Sequence, residues 1–507
     1  MATPTTATGT LVAHPAFTVA EVPRRLFGSF VEHMGRCVYT GIFEPGHPEA
    51  DADGLRRDVL ALVRELGVTT VRYPGGNFVS NHQWEDGVGP RADRPTRLDL
   101  AWHTTETNAF GLGEFQRWAR AAGVETMLAV NLGTRGTREA LDLLEYANHP
   151  GGSTWSDLRI AHGDVAPYDI RMWCLGNEMD GPWQTGHKTA AEYGRLAAET
   201  GNAMRQFDPT LELVACGSSH RGMPTFGAWE QEVLRLAYDH VDWISAHAYY
   251  EPVDGDVDSF LASGVDMDRF IEAVVATADA IGAERRSDKR IMVTFDEWNV
   301  WYASRMTPPT GEDWPEHPRL IEDTYTVQDA VVVGSLLLSL LRHSDRVRAA
   351  SIAQLVNVIG PIRTEPGGPA WQQTIFHPFA QAAALARGRV LDTRLDVPTM
   401  PTRRHGDVPV ADAVVCEDGD TLTVLAVNRS RDTDLDLALD LSAWDGLAVA
   451  EATLLHEDDA SLTNTEQHPD RVRPRPLPGA PVGEPVQGDL SLHLPALSWA
   501  TVTLRRP

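Results

Sequence analysis

Two short stretches carry carboxylates in settings where they could do chemistry. Residues 171 to 184, Arg-Met-Trp-Cys-Leu-Gly-Asn-Glu-Met-Asp-Gly-Pro-Trp-Gln, hold an apolar run that stops at Asn177-Glu178. The run Met172 to Leu175 has the length of a buried strand, and the Gly and Pro beyond it close the strand and open a loop. Glu178 therefore stands at a strand's C-terminal end beside an aromatic-rich loop, where burial would raise its pKa toward the range a general acid needs. Residues 290 to 302, Arg-Ile-Met-Val-Thr-Phe-Asp-Glu-Trp-Asn-Val-Trp-Tyr, repeat the pattern and offer Glu297 at a second strand end. A single Glu after a strand is more often a surface residue than a catalyst. Two of them ringed by indoles are the minimum equipment for breaking a glycosidic bond. One acid protonates the leaving oxygen, and the other attacks or stabilises the oxocarbenium-like carbon. Trp and Tyr faces add apolar platforms for sugar rings.

Positioning such a pair requires a scaffold that converges strand ends. From residue 27 the sequence alternates strand-like runs with helical periodicity, as a parallel α/β fold does. Eight strand candidates stand out: Phe27 to His33, Thr69 to Pro74, Thr126 to Leu132, Met172 to Glu178, Leu211 to Gly217, Val241 to Tyr249, Ile291 to Glu297 and Ala350 to Val356. Helical segments lie between them, such as Leu55, Val59, Leu62 and Leu66, with Asp53 as N-cap and Gly67 as stop. This predicts a (β/α)₈ TIM barrel whose chemistry sits on the loops at the strands' C-terminal face. Past the Pro- and Gly-rich stretch 360 to 369 and an apolar segment, Phe376 to Leu391, the texture turns all-β. Leu435, Leu437, Leu439 and Leu441 alternate with polar residues, and residues 471 to 488 read as a proline-rich loop. The expected division is a barrel over 21–385 and a C-terminal antiparallel β-sandwich over 386–507.

Other strand ends present polar groups to the same face. Glu32-His33 closes the first strand, and Arg72-Tyr73-Pro74-Gly75-Gly76-Asn77 carries the second into a Gly-rich turn. Arg72 either keeps a neighbouring carboxylate ionised or serves as a buried ion-pair partner, and Asn77 can bond a sugar hydroxyl. The glycines are read as shaping the turn. The third strand runs into Asn131, and Trp102 follows in the long loop after the second. On the sixth strand His247 and Tyr249 alternate toward one face. His247 reads as a hydrogen-bonding partner of a carboxylate in preference to a metal ligand, because no second spaced His accompanies it, and Tyr249 can steady the nucleophile. Gln354 and Asn357 on the eighth can both contact hydroxyls.

Composition narrows the partners. The 507 residues carry a formal charge of -27, which repels nucleic acid and anionic membrane surfaces and suits a neutral substrate. The four cysteines, Cys37, Cys174, Cys216 and Cys416, are far apart in apolar contexts and read as buried thiols; no zinc or redox spacing is present, so neither metal nor cofactor is expected. Val331 to Leu341 is too short to span a bilayer, which takes ~20 residues, and reads as a buried helix. The first twenty residues lack the basic start and apolar segment of a secretory signal, so a cytoplasmic protein is expected.

Taken together, segments 30–39 (Phe-Val-Glu-His-Met-Gly-Arg-Cys-Val-Tyr), 71–80 (Val-Arg-Tyr-Pro-Gly-Gly-Asn-Phe-Val-Ser), 98–108 (Leu-Asp-Leu-Ala-Trp-His-Thr-Thr-Glu-Thr-Asn), 175–184, 296–302 and 353–358 (Ala-Gln-Leu-Val-Asn-Val) resemble the α-L-arabinofuranosidases of glycoside hydrolase family fifty-one over nearly the whole chain. The resemblance implies a barrel plus a sandwich to which residues 1–20 add a strand. It implies a retaining mechanism, with Glu178 as acid/base and Glu297 as nucleophile. Glu32, Asn77, Asn177, Tyr249 and Gln354 would bind the terminal arabinofuranose of an oligosaccharide or polysaccharide. Arg72 would support the nucleophile, and Trp301 would border the pocket near the leaving group. Members are commonly homo-oligomers, often hexamers. Two departures, Ser29 where members often have His, and Asn81-His82 in place of Gly-Tyr, are expected at the pocket rim. Retention requires the carboxyl groups ~5 to 5.5 Å apart, whereas inversion requires ~6.5 to 9.5 Å. The same acid pair would serve a β-xylosidase, an endo-β-glucanase or a galactofuranosidase, and a barrel that binds sugar without cleaving it is a third reading.

Overall fold

The computed structural model describes residues 5–307, 310–486 and 488–506. Eight parallel strands close into a barrel in chain order: Gly28–Phe30, Thr70–Tyr73, Glu125–Val130, Met172–Leu175, Glu212–Ala215, Trp243–Tyr250, Met292–Val300 and Val347–Ile352. Every neighbouring pair is parallel. Their bases are almost fully buried, as strands covered on both faces must be.

The strands stop or continue differently from the sequence reading, and the differences fall at the site. The fourth strand ends at Leu175, so Glu178 lies beyond it in a turn. The seventh continues past Glu297 to Val300 because the sixth extends alongside it to Tyr250, pairing Tyr250 with Val300. Helix Arg57–Leu66 begins after Arg56, and Asp53 does not cap it. Residues 51–55 form their own turn instead, with Asp51 Oδ1 accepting from the Asp53 and Leu55 amides at 2.9 Å each.

Beyond the barrel, a seven-stranded sheet runs Thr18–Glu21, Arg389–Leu391, Ala411–Asp418, Thr421–Asn428, Ser498–Arg505, Ala448–Leu455 and Arg475–Pro476. It faces a four-stranded sheet of Arg394–Asp396, Thr5–Val12, Thr433–Asp440 and Asp489–Leu494. Pairing is antiparallel except for the N-terminal strand, which runs parallel to Thr433–Asp440. Leu435, Leu437 and Leu439 turn inward into a core of their own, with Leu11 from the N-terminal strand, while Asp434, Asp436, Ala438 and Asp440 alternate with them on the partly exposed face.

The apolar helix Val327–Arg342 joins the two parts. It is buried almost all round because the barrel covers one side and the seven-stranded sheet the other. Gly334 makes room there: a Cβ would stand 2.6 Å from Trp499 of the sheet. Arg342 then pairs with Asp412 at 2.7 Å. Among the described residues no helix is long and apolar enough to cross a membrane.

Candidate active site

Glu178 reaches the barrel mouth through a strained turn. Gly176 takes φ +92°, and Glu178 itself sits at φ +43°, in the left-handed region that non-glycine residues seldom occupy. The turn lifts its carboxyl off the strand axis and delivers it between two donors. His247 Nδ1 lies 2.9 Å from Oε1, and Trp183 Nε1 donates to Oε2 at 2.7 Å.

Glu297 arrives by another device. A strict two-residue alternation would send Asp296 and Glu297 to opposite faces, but the ladders slip register between Ser245 and His247 and between Phe295 and Trp298. Both acids therefore turn toward the barrel interior, and Arg72 meets both. Its Nη1 donates to Glu297 Oε1 at 2.7 Å, its Nε lies 3.2 Å from Asp296 Oδ2, and its Nη2 donates to Asn177 Oδ1 at 2.6 Å. Tyr249 donates its hydroxyl to Glu297 Oε2 at 2.8 Å. Gly76 allows this packing, since a Cβ there would lie 3.0 Å from Glu297 Oε1. The glycine pair thus does more than shape a turn: it lets backbone approach the carboxylate.

Burial raises the Glu178 carboxyl above its usual range, and the Glu297 charge adds to this against the His247 hydrogen bond. Burial disfavours an imidazolium at His247, yet Glu297, Asp296 and Glu178 around it hold its pKa well above the ordinary value. Asp296 resists the opposite push of burial through Arg72 and His247 and stays below the usual carboxylate range. One oxygen of Glu178, one of Glu297 and a nitrogen of His247 lie within 4.8 Å of one another, close enough to be weighed as metal ligands. Both carboxylates, however, already spend each oxygen on a protein partner, Glu178 on His247 and Trp183 and Glu297 on Arg72 and Tyr249. The donor set fits an ion-pair network better than a metal.

A cavity of about 760 Å³ opens above these acids. Glu32, Asn77, Trp102, Tyr249, Trp301 and Gln354 line it together with Glu178 and Glu297. Arg72 and Asn177, each 1% exposed, are buried against its lining, Arg72 on Glu297 and Asn177 on Asn77. Glu32 is gripped by the Phe78 amide at 2.9 Å, Trp102 Nε1 at 3.0 Å and Gln354 Nε2 at 3.0 Å. Burial nonetheless pushes its pKa up to about 8. Trp301 meets Tyr249 edge-on at 5.2 Å.

Some polar residues serve the fold instead. Asn357 is fully buried and spends its amide on the Arg36 carbonyl and Thr364 Oγ1, so it is not free for a hydroxyl. Asn131 ties the His82 carbonyl and Thr134. Neither departure from the family pattern is at the rim: Ser29 is buried in the first strand, donating to the Ile352 carbonyl at 3.0 Å, and Asn81-His82 border a separate small cavity. Conversely, Asp296 and Trp183 belong to the site although neither has a role in the reading of the sequence. Asp296 is hidden by the register slip, and Trp183, 47% exposed, reads as an ordinary loop residue.

Comparison with known proteins places this geometry. The family model described as "Alpha-L-arabinofuranosidase 1 domain" matches residues 62–264, and that described as "Alpha-L-arabinofuranosidase C-terminal domain" matches 296–498. The chain is 60% identical to an intracellular exo-α-(1→5)-L-arabinofuranosidase of Streptomyces lividans, covering 97% of this chain and 75% of that one. It is 54% identical to an exo-α-(1→6)-L-arabinofuranosidase of Bifidobacterium longum, covering 98% and 97%. Among solved structures, a family 51 α-L-arabinofuranosidase from Bifidobacterium longum superposes with TM-score 0.94 at 52% identity, covering 99% and 100%. An arabinose complex of the Thermotoga maritima α-L-arabinofuranosidase superposes with TM-score 0.86 at 31% identity, covering 98% and 100%.

Proposed function

The chain belongs to the α-L-arabinofuranosidases of glycoside hydrolase family 51, and on that premise we propose that it removes terminal non-reducing α-L-arabinofuranosyl residues by a retaining double displacement. Glu297 is the nucleophile and Glu178 the acid/base. The observation that carries this reading is the pairing itself. An oxygen of each carboxyl lies within 4.8 Å of the other, which supports the ~5 to 5.5 Å pairing of a retaining enzyme over the ~6.5 to 9.5 Å spacing of an inverting one.

In the first step Glu297, ionised and aimed by Arg72 and Tyr249, attacks the anomeric carbon. Glu178 gives its proton to the departing oxygen. The ester so formed has no charge, which removes one of the influences holding the Glu178 pKa up. Glu178 is then the stronger acid, its carboxylate persists, and it takes a proton from the incoming water whose oxygen attacks the same carbon. The sugar rests against Glu32, Asn77, Tyr249 and Gln354, with Trp301 at the border. Asn177 gives its Oδ1 to Arg72 but makes only long contacts, 3.4 and 3.5 Å, through Nδ2, which leaves that donor for the 2-hydroxyl as charge develops.

The deciding assay is release of nitrophenol from 4-nitrophenyl α-L-arabinofuranoside beside the β-D-xylopyranoside and β-D-galactofuranoside, with the first-formed sugar followed by proton NMR. Preferred cleavage of the arabinofuranoside with α-arabinose appearing first is expected. A β product would overturn retention, and preference for another glycoside would overturn the substrate. The word intracellular in the names of relatives from Streptomyces lividans and Bacillus subtilis supports a cytoplasmic location, and homo-oligomeric assembly follows the family resemblance.

His247 offers a test through pH. Its imidazolium faces both catalytic acids, 2.9 Å from Glu178 and 3.8 Å from Glu297. Replacing it with Asn removes a hydrogen bond and a positive charge that hold the Glu178 pKa down, and the alkaline limb of the kcat/KM profile is expected to move to higher pH, by about one unit. A profile that keeps its limbs while activity falls would mean that His247 only fills space.

A further inference from the structure

The proposed assignment of Glu178 as acid fixes which side of the cavity takes the leaving group. Glu178 follows the fourth barrel strand, and its proton goes to the departing oxygen, so the leaving sugar lies toward the loops after strands four to six. The terminal arabinose lies across the mouth, against Glu32, Asn77 and Gln354 from strands one, two and eight. The cavity is several times larger than one pentose, and its lining extends over the fourth-to-sixth flank through Trp183, Arg221, Tyr250, Asp256 and Asp266. Arg404 and His405 line it as well.

Those last two residues come from the other half of the molecule. They form the tip of a hairpin, Thr399–Thr402 paired with Gly406–Pro409, set between the sandwich strands Arg394–Asp396 and Ala411–Asp418. The tip is seated on the barrel's short helix Val257–Leu261 and the helix after it. The Arg404 amide donates to Ser259 Oγ at 3.1 Å, and Arg269 Nη2 donates to the His405 carbonyl at 3.2 Å. Backbone and not side chain makes the first of these contacts, which leaves the exposed Arg404 guanidinium 4.0 Å from Asp254 and otherwise available. Beside it Asp256 is buried, at 8% exposure. One of its oxygens caps Ser259 at 3.2 Å, and the other has no partner among the described residues. A buried carboxylate oxygen without a donor on a cavity wall calls for a ligand that brings one. Trp183 stands nearly parallel to the His220 ring at 6.2 Å and offers an apolar face between the acid and this polar end.

We propose that the hairpin tip, with Asp256, forms a distal subsite for the leaving-group chain, occupied by neutral, hydroxyl-rich sugar units beyond the one next to the scissile bond. The proposal rests on the function given above and extends it. The sandwich thereby enters substrate selection, and chain-length preference is set where two halves of the chain meet.

An exo-acting enzyme places every added sugar on this flank, so chain length is the probe. Values of kcat/KM are measured for α-1,5-linked arabinobiose, arabinotriose and arabinotetraose and for 4-nitrophenyl α-L-arabinofuranoside, in wild type, the double variant Arg404→Ala/His405→Ala, and Asp256→Asn. Wild type is expected to gain at least about fivefold from biose to tetraose, mainly through KM, the scale of a net hydrogen bond. The double variant should lose most of that gain, so that its tetraose-to-nitrophenyl ratio drops about fivefold. Its altered side chains are partly or fully exposed, so the fold is retained, and a thermal melt checks this. A length series that is flat in wild type, or a ratio that the double variant and Asp256→Asn both leave unchanged, overturns the subsite while leaving the arabinofuranosidase reading intact. A wild type that cleaves none of the four substrates overturns both.

Discussion

Glu297→Ala is expected to lower kcat/KM on 4-nitrophenyl α-L-arabinofuranoside by at least ~10⁴-fold, with the fold intact. The loss is large because the carboxylate supplies the electron pair that forms the covalent intermediate, and no neighbour can replace it. Asp296 is adjacent in sequence but lies deeper, held by Arg72 and His247. The fold survives because Arg72 keeps Asp296 and Asn177 as partners when Glu297 is gone, so no buried charge is stranded. Azide separates this account from a merely electrostatic role. In the space left by the side chain it can attack the anomeric carbon while Glu178 still protonates the leaving oxygen. The bond to azide forms on the face opposite the departing group, and the product is the β-L-arabinofuranosyl azide. An α azide, or a variant within tenfold of wild type, would remove Glu297 from the nucleophile's place.

How far the sequence could lead depended on whether a feature was periodic or accidental. The eight barrel strands were legible because each is a short apolar run between helical segments, and Leu435, Leu437 and Leu439 showed the sandwich by alternation. Glu178 and Glu297 stood out as acids ending apolar runs among indoles. Their exact placement was not legible: the φ of Glu178 belongs to a turn with no residue-type signature, and the slip that turns Asp296 and Glu297 the same way depends on the pairing of three strands. Asn357 looked like a binding residue because it follows Gln354 at the same strand's end, but the tight turn there consumes its amide. The hairpin at 399–409 carried no clue at all. Its contact with the barrel mouth depends on how the helix Val327–Arg342 docks the two halves, a relation between residues far apart in the chain.

That docking also changes what the second half of the molecule is for. The seven-stranded sheet is fixed to the barrel by apolar burial along Val327–Arg342 and by the Arg342 pairing with Asp412 and Asp268. A rigid mount of this kind can hold a hairpin over an active site with the precision that substrate positioning needs. A flexible linker between the halves could not.

Glu178→Ala separates the two chemical steps, and its expected effect depends on the leaving group. With arabinobiose the departing oxygen is a poor leaving group that needs the proton, so a loss of about 10²- to 10⁴-fold is expected. With 2,4-dinitrophenyl α-L-arabinofuranoside the phenolate leaves unaided, and the first step is largely spared. The second step still lacks its base, so the arabinosyl ester on Glu297 should accumulate. It would appear as a burst of dinitrophenol, and as added mass on the peptide that contains Glu297. The variant should fold, because Trp183 Nε1 sits at an exposed rim where water can accept from it, and His247 keeps Asp296 and Glu297 beside it. Azide should then restore turnover by attacking the ester, giving the α azide with retained configuration, the opposite anomer from the Glu297→Ala product. The alkaline limb of kcat/KM on arabinobiose should vanish as well, since in wild type it reports loss of the Glu178 proton, a proton held by burial and by the charge of Glu297. Equal losses on both substrates, or an alkaline limb that survives the substitution, would mean that another group carries the proton.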